Sequence, residues 1–438
     1  MLKFRIHILL LAVALLTSCL LRPSMQNVTP TVLVSPSATV LSTANPTRQP
    51  TLTIMPSLVE PTATSTVALS PEYILKYQRL DVAPRLPSDA NPVGTLVLFG
   101  DRGGRSYLLK FDQQVEQEIA GRKFCFSTSP DGKWLAYCEF PVDSSTGGWL
   151  IVEGNNGQQV KKLPMGKDWN FFTATTWLGN ERLVFNLLRD TGEVSPVVVV
   201  NPFTGEQTQL KSDYPGIYID KSPGTGGGLY FVYSAVVYDP SLNLVIYPQR
   251  DVDKRSDFVV LWDRQVGKTL ARVPEWGVFY HTPLWSPDVT QFVVAVTPNL
   301  KSNSNRGAIE EWFSVSREGQ VRQLTHFGDF FADVRIGAAN WSPDGRWLAF
   351  WLEAKPSLCE GQNLVVLEME TQSVTEYCVP GSIYGDAPPP IWSPDSRYIA
   401  VQNYYEVNSS HVILVDIMQG WATQIAENVE PAGWLVAP

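Results

Sequence analysis

The chain has 438 residues, 44% of them hydrophobic and only 18% charged, with 33 Pro, 31 Gly, 14 Trp, 16 Tyr and 19 Phe. This exceeds one ordinary core and carries the turn formers and aromatics of a β protein, which argues against a coiled coil, a helical solenoid or a wholly disordered chain. A formal charge of -9 argues against nucleic acid as a partner, since phosphate binding needs a positive stripe, and no polybasic run is present to hold an anionic membrane surface.

In chain order, Lys3 and Arg5 precede an unbroken apolar run from Ile8 to Leu16. Nine residues of helix cover about 14 Å, about half a bilayer core, so this run fits a signal peptide rather than a spanning helix. The next residues, Leu16-Thr17-Ser18-Cys19, resemble the bacterial lipobox. The resemblance implies that residues 1–19 are a lipoprotein signal and that acylated Cys19 anchors the mature chain to a lipid bilayer. The alternative, an ordinary secretory signal beside a chance cysteine, changes the anchor but not the extracytoplasmic compartment. From Pro23 to Pro71, 49 residues hold 10 Thr, 8 Pro and 7 Ser and no aromatic. Nothing there offsets the entropy of ordering a backbone, so residues 20–92 are expected to form a disordered tether.

The remainder, residues 93–438, repeats itself. The segments STSPDGKWLAY (127–137), TWLGNERLVF (176–185), VYDPSLNLVIY (237–247), LWSPDVTQFVV (284–294), NWSPDGRWLAF (340–350) and IWSPDSRYIAV (391–401) align, and GWLVAP closes the chain from Gly433. The residues at the tryptophan position are Thr128, Trp177, Tyr238, Trp285, Trp341, Trp392 and Trp434, spaced by 42 to 61 residues, the period of a propeller blade. Each motif predicts a hairpin: an apolar strand, a Ser-Pro-Asp-Gly turn in which Pro fixes φ, Asp bonds the backbone and Gly accepts positive φ, then a second apolar strand. Two further β-branched strands follow, giving four per repeat.

Ahead of the first motif lie three strand-like segments beginning at Gly94, Ser106 and Val115, which lack an inner partner; the C-terminus supplies one around Ala432 to Val436. The prediction is an all-β, seven-bladed β-propeller whose last strand joins its first, leaving no open inner edge. Six or eight blades are the alternatives, because residues 217–237 are irregular. The repeated W-S-P-D-G-x-x-L-A-F pattern resembles the WD40-like repeats of TolB-type propellers, also seen in the propeller parts of prolyl oligopeptidase-like enzymes and in oligogalacturonate lyases. That resemblance implies the fold; it spans scaffolds and enzymes, so it leaves function open.

Apart from Cys19 there are four cysteines. Cys125 and Cys138 lie symmetrically about the Pro130–Lys133 turn, so they face each other across the hairpin provided its register runs unbroken. Cys359 begins the third strand of its blade and Cys378 ends the fourth, which also brings them together. Two disulfides are therefore expected, with buried free thiols as the alternative.

Catalytic signatures are sparse. No G-x-S-x-G nucleophile motif occurs. The resemblance to the lyases implies channel histidines holding a metal, yet only His281 falls at a channel-lining position, so no metal site and no cofactor are expected. Asp131, Asp288, Asp344 and Asp395 belong to the turns, and the neighbours Glu310 and Glu311 point to opposite faces of a strand. What remains is a surface. The loops on the rim opposite the turns hold Trp169, Phe172, Trp276, Tyr280, His281, Asp329, Phe330, Phe331, Asp333, Tyr384 and Asp386. Aromatics beside carboxylates on one rim fit a recognition face for an envelope protein or a glycan. The expected function is a non-catalytic binding or scaffold module. The alternatives are a polysaccharide lyase or hydrolase using the rim carboxylates and, by resemblance alone, a TolB-like partner of an envelope translocation system.

Overall fold

A computed structural model of the chain describes residues 75–100, 106–111, 115–119, 123–139, 148–165, 176–186, 197–210, 214–215, 236–251, 256–275, 283–298, 308–357, 359, 361–381, 387–406 and 409–437. Among the described residues, seven sheets each contain four antiparallel strands, and no helix exceeds the single 3-10 turn Phe327–Asp329. Blade 1 comprises Lys123–Thr128, Trp134–Glu139, Trp149–Gly154 and Gln159–Pro164; blade 2 comprises Thr176–Leu178, Arg182–Asn186, Val197–Val200 and Gln207–Leu210. Blade 3 comprises Val237–Tyr238, Leu244–Asp251, Ser256–Asp263 and Lys268–Glu275; blade 4 comprises Leu284–Trp285, Gln291–Val296, Glu311–Ser316 and Val321–Gln323. Blade 5 comprises Asp333–Trp341, Trp347–Lys355, Gln362–Glu368 and Val374–Pro380; blade 6 comprises Ile391–Trp392, Tyr398–Glu406, Ser409–Asp416 and Trp421–Glu427.

Blade 7 is composite. The final strand Val429–Leu435 pairs with Thr95–Gly100, with Leu96 opposite Trp434, and Ser106–Lys110 and Val115–Ile119 complete the sheet. The chain is thus a seven-bladed β-propeller whose ring is closed by its two ends.

The core lies between blades. In the strand Trp347–Lys355, Leu348, Phe350 and Leu352 pack toward blade 4, while Ala349 and Trp351 pack toward blade 6. With both faces covered, alternation gives way to a continuous apolar run, which is why the second strands read so plainly in the sequence. Three of the motif tryptophans link neighbouring blades through their indole N–H. Trp177 donates to the Ser127 carbonyl at 3.2 Å, Trp341 to Leu284 at 3.2 Å and Trp392 to Asn340 at 3.1 Å. Each acceptor stands one residue before the tryptophan position of the preceding blade.

The turns behave as their chemistry requires. In blade 5, Ser342 Oγ donates to Asp344 Oδ1 at 2.6 Å, Asp344 Oδ1 accepts the Arg346 N–H at 3.0 Å, and Gly345 takes φ 71°. Blade 3 reverses the two polar residues: Asp239 takes the serine's place, and its fully buried carboxylate is paired with Arg317 at 2.9 Å. Burial pushes the Asp239 carboxyl up, but hydrogen bonds from Ser241, the Leu244 amide and Arg317 outweigh it and leave it below its ordinary value.

Two expectations need correction. The tether was expected to reach residue 92, but residues 75–92 include two strands. Leu75–Gln78 adds a parallel fifth strand to the outer edge of blade 5, and Val82–Ala83 does the same on blade 6. Leu75, Leu80, Val82 and Leu86 seat this strap apolar side down on successive blades, and Gln78 lies over Gly420, where a β-carbon has no room. The Cys125–Cys138 bridge is not formed either. A register shift between Phe124 and Ser127 sets Phe124, not Cys125, opposite Cys138, which is a buried free thiol. Cys359 and Cys378 form the expected disulfide, with Cα atoms 5.3 Å apart.

Candidate functional site

Antiparallel hairpins put the Ser-Pro-Asp-Gly turns at one rim of the ring and the connections between blades at the other. The described part of that second rim centres on the connection from blade 4 to blade 5, residues 324–332. Its sequence, Leu-Thr-His-Phe-Gly-Asp-Phe-Phe-Ala, alternates anchors with an exposed tip. Phe327 is fully buried, within 6.3 Å of Phe350 and 6.2 Å of Phe331, in the cluster that joins blades 4 and 5. Gly328, Asp329 and Phe330 project outward, and Phe330 keeps 46% of its surface exposed.

Two adjacent carboxylates brace this connection and the strand that follows it. Glu311, buried at 3% exposure, accepts three hydrogen bonds: from Thr325 Oγ1 at 2.6 Å, the Phe327 N–H at 3.0 Å and the Gly328 N–H at 2.9 Å. Burial pushes its carboxyl up, against those hydrogen bonds and the influence of His326. Glu310 points the other way, as strand alternation demands, and its Oε2 accepts the Ile336 N–H. Its backbone runs parallel to the innermost strand of blade 5, with Val334 donating to the Ala308 carbonyl at 2.9 Å. The loop is therefore tied from both sides, and Phe330 is presented on a braced turn rather than a loose one.

Of the candidate rim residues, Asp329 and Phe330 are exposed side by side, and Asp333 is half-buried at the start of the inner strand of blade 5, opposite Lys355. Phe331 corrects its expectation: at 6% exposure it belongs to the core beneath the tip. Its neighbour faces out because the turn is one 3-10 step, Phe330 and Phe331 both donating to the Phe327 carbonyl. Trp169, Phe172, Trp276, Tyr280, His281, Tyr384 and Asp386 lie outside the described residues, as does Cys19. Glu310 and Glu311 read in the sequence as a carboxylate pair without catalytic geometry. Their bracing role had no local signal, because their partners lie 14 to 26 residues away.

The opposite rim offers less. A cleft of about 340 Å³ opens between the turns of blades 4 and 5, lined by Ser286, Asp288, Pro343, Asp344 and Gly345. Both carboxylates are engaged within their own turns, Asp288 by Ser286 and Thr290, Asp344 by Ser342 and Arg346. Among the described residues no group of three or more His, Cys, Asp or Glu side chains could hold a metal ion.

No protein-family model and no curated protein matches the sequence. Among solved structures, the chain is similar to the oligogalacturonate lyase from Vibrio parahaemolyticus, with 12% identity, a TM-score of 0.46, and coverage of 80% of this chain and 86% of that one. It is also similar to the putative TolB from Agrobacterium tumefaciens, with 16% identity, a TM-score of 0.34, and coverage of 78% and 92%. A third is the Cps50 (Swd1) β-propeller domain from Myceliophteria thermophila, with 11% identity, a TM-score of 0.44, and coverage of 74% and 96%. The blade count rests on the strand pairing itself.

Proposed function

We propose that the chain is an exported, lipid-anchored propeller that binds an envelope protein or a glycan, without catalysis, on the rim opposite its Ser-Pro-Asp-Gly turns. The observation that carries this reading is the Asp329-Phe330 tip. An exposed aromatic beside a carboxylate, on a turn fixed by Glu311, loses little entropy on binding, and that is what an anchor residue needs. A flat apolar ring with an adjacent acceptor suits stacking on a sugar face or seating in a protein pocket. The signal-like Lys3 to Leu16 segment and Cys19 support export and a lipid anchor. The Cys359–Cys378 disulfide supports an oxidising compartment.

The test is a glycan and envelope-protein binding screen on the intact chain and on Phe330→Ala, with product masses read for every glycan bound. The expected outcome is a ligand recovered unaltered whose affinity falls at least tenfold in Phe330→Ala while the melting temperature is unchanged. Binding indifferent to Phe330 removes the tip from the site, and a shortened or unsaturated glycan product makes the protein an enzyme.

A further inference from the structure

Toward the outer edge of blade 5, one buried carboxyl has no obvious use in holding the ring. Glu376, in the outer strand of blade 5, is 1% exposed. Its Oε1 accepts a hydrogen bond from Ser357 Oγ at 3.1 Å, and its Oε2 has no hydrogen-bond partner. Burial pushes the carboxyl up to about 7, opposed only by the Ser357 hydroxyl.

Two elements cover it at the outer edge of blade 5. One is the loop carrying Ser357 and Cys359, which the Cys359–Cys378 disulfide ties to Glu376's own strand. The other is the strap strand Leu75–Gln78, whose Tyr77 stands directly opposite Glu376 in the parallel register. Tyr77 is 36% exposed, and its phenol is pushed up by burial and then by Glu376 itself. Lys76 acts instead on Glu368, whose carboxyl is held down first by Arg346 and Thr371. Among the described residues, no cation on either cover neutralises Glu376. Of the two covers, the loop is covalently closed, while the strap is a four-residue edge strand with two exposed residues. Short edge elements with few buried contacts open first.

We propose that Leu75–Gln78 is a pH-gated latch: it lies closed on blade 5 while Glu376 is protonated, and ionisation of Glu376 releases it while the ring stays folded. The closed state holds a proton that the hydrated, open state gives up, so opening becomes more favourable as pH rises from about 4.5, the ordinary carboxyl value, through about 7. Release uncovers the edge strand Val374–Pro380, whose backbone groups can then pair with another extended segment.

Hydrogen-exchange protection factors on the full chain, corrected for the intrinsic pH dependence of exchange, test this directly. Between pH 5.5 and 8.5 the amides of Leu75–Gln78 are expected to lose about tenfold or more of their protection, while those of Leu348–Leu352 lose none. Glu376→Gln, which holds the neutral form, should abolish the loss. Ser357→Ala, which removes the one bond favouring the anion, should move its midpoint to higher pH. The proposal is overturned by strap protection that is flat with pH in the wild type, by a pH dependence that survives Glu376→Gln or a midpoint unmoved in Ser357→Ala, or by a ring that loosens together with the strap.

Discussion

Blades 1 and 5 open on nearly the same letters, Ser129-Pro-Asp-Gly-Lys-Trp-Leu-Ala-Tyr137 and Ser342-Pro-Asp-Gly-Arg-Trp-Leu-Ala-Phe350. They make the same turn: Ser129 Oγ donates to Asp131 Oδ1 at 2.7 Å as Ser342 does to Asp344 at 2.6 Å, and Gly132 and Gly345 take φ 68° and 71°. Their edges and cysteines differ. Blade 5 is braced at its inner edge by Ala308–Glu310, capped at its outer edge by Leu75–Gln78 and bridged by Cys359–Cys378. Among the described residues, blade 1 has no fifth strand, and Cys138 is a free thiol. The lesson is that nine residues specify a hairpin, whereas the neighbours specify the blade.

The difference at the tryptophan position has the same origin. Trp341 reaches back to the Leu284 carbonyl of blade 4, but its counterpart in blade 1 is Thr128. The blade before blade 1 is the composite one, and its closing strand brings Gly433 so near that a β-carbon there would sit 2.4 Å from Thr128 Cγ2. Two chain ends meet at this seam, and a small residue on each side lets the backbones approach. An indole at 128 has no space to occupy.

The comparison can be broken at three levels. The largest effect is expected at the disulfide. Cys359→Ser or full reduction should lower stability by about 3 kcal/mol, the chain-entropy value for a 19-residue loop. Cys125→Ser with Cys138 retained should leave the response to reductant unchanged, as read from denaturant midpoints with and without a reducing agent. A reductant-sensitive contribution that disappears with Cys125 would mean that blade 1 is bridged after all. Next, Thr128→Trp restores the repeat's consensus letter yet should destabilise the ring by about 2 kcal/mol through overpacking against Gly433. A neutral or stabilising result would show that the seam has slack. The smallest effect is expected for Trp341→Phe, which keeps an aromatic ring at the junction but removes one N–H···O bond, at about 1 kcal/mol. Equal losses from the two substitutions would erase the distinction between an ordinary blade junction and the closing one.

The sequence by itself determined the hairpin, the repeat and the joining of the two ends, and it favoured seven blades over six or eight. All four depend on contacts within some sixty residues, or on a strand deficit at one terminus matched by a surplus at the other, and turn chemistry and apolar runs record both. It also placed Asp329 and Phe330 on the rim opposite the Ser-Pro-Asp-Gly turns, because hairpin alternation carries that information.

Only the tertiary structure decided the rest. The extra residue between Phe124 and Ser127 moves Cys125 out of register, and no local letter marks it, since a bulge is chosen by what packs on either side. Leu75–Gln78 joins blade 5 through backbone groups that every residue carries, so its letters do not say which sheet edge it meets. Glu311 and Glu376 are both buried carboxyls two residues or fewer from a strand's end or bend, indistinguishable as letters. One is met by three donors that fold back from the next connection, and the other by one hydroxyl and a removable strand. Their roles diverge because solvation and hydrogen bonding are properties of the space around a side chain, and that space is built from distant parts of the chain.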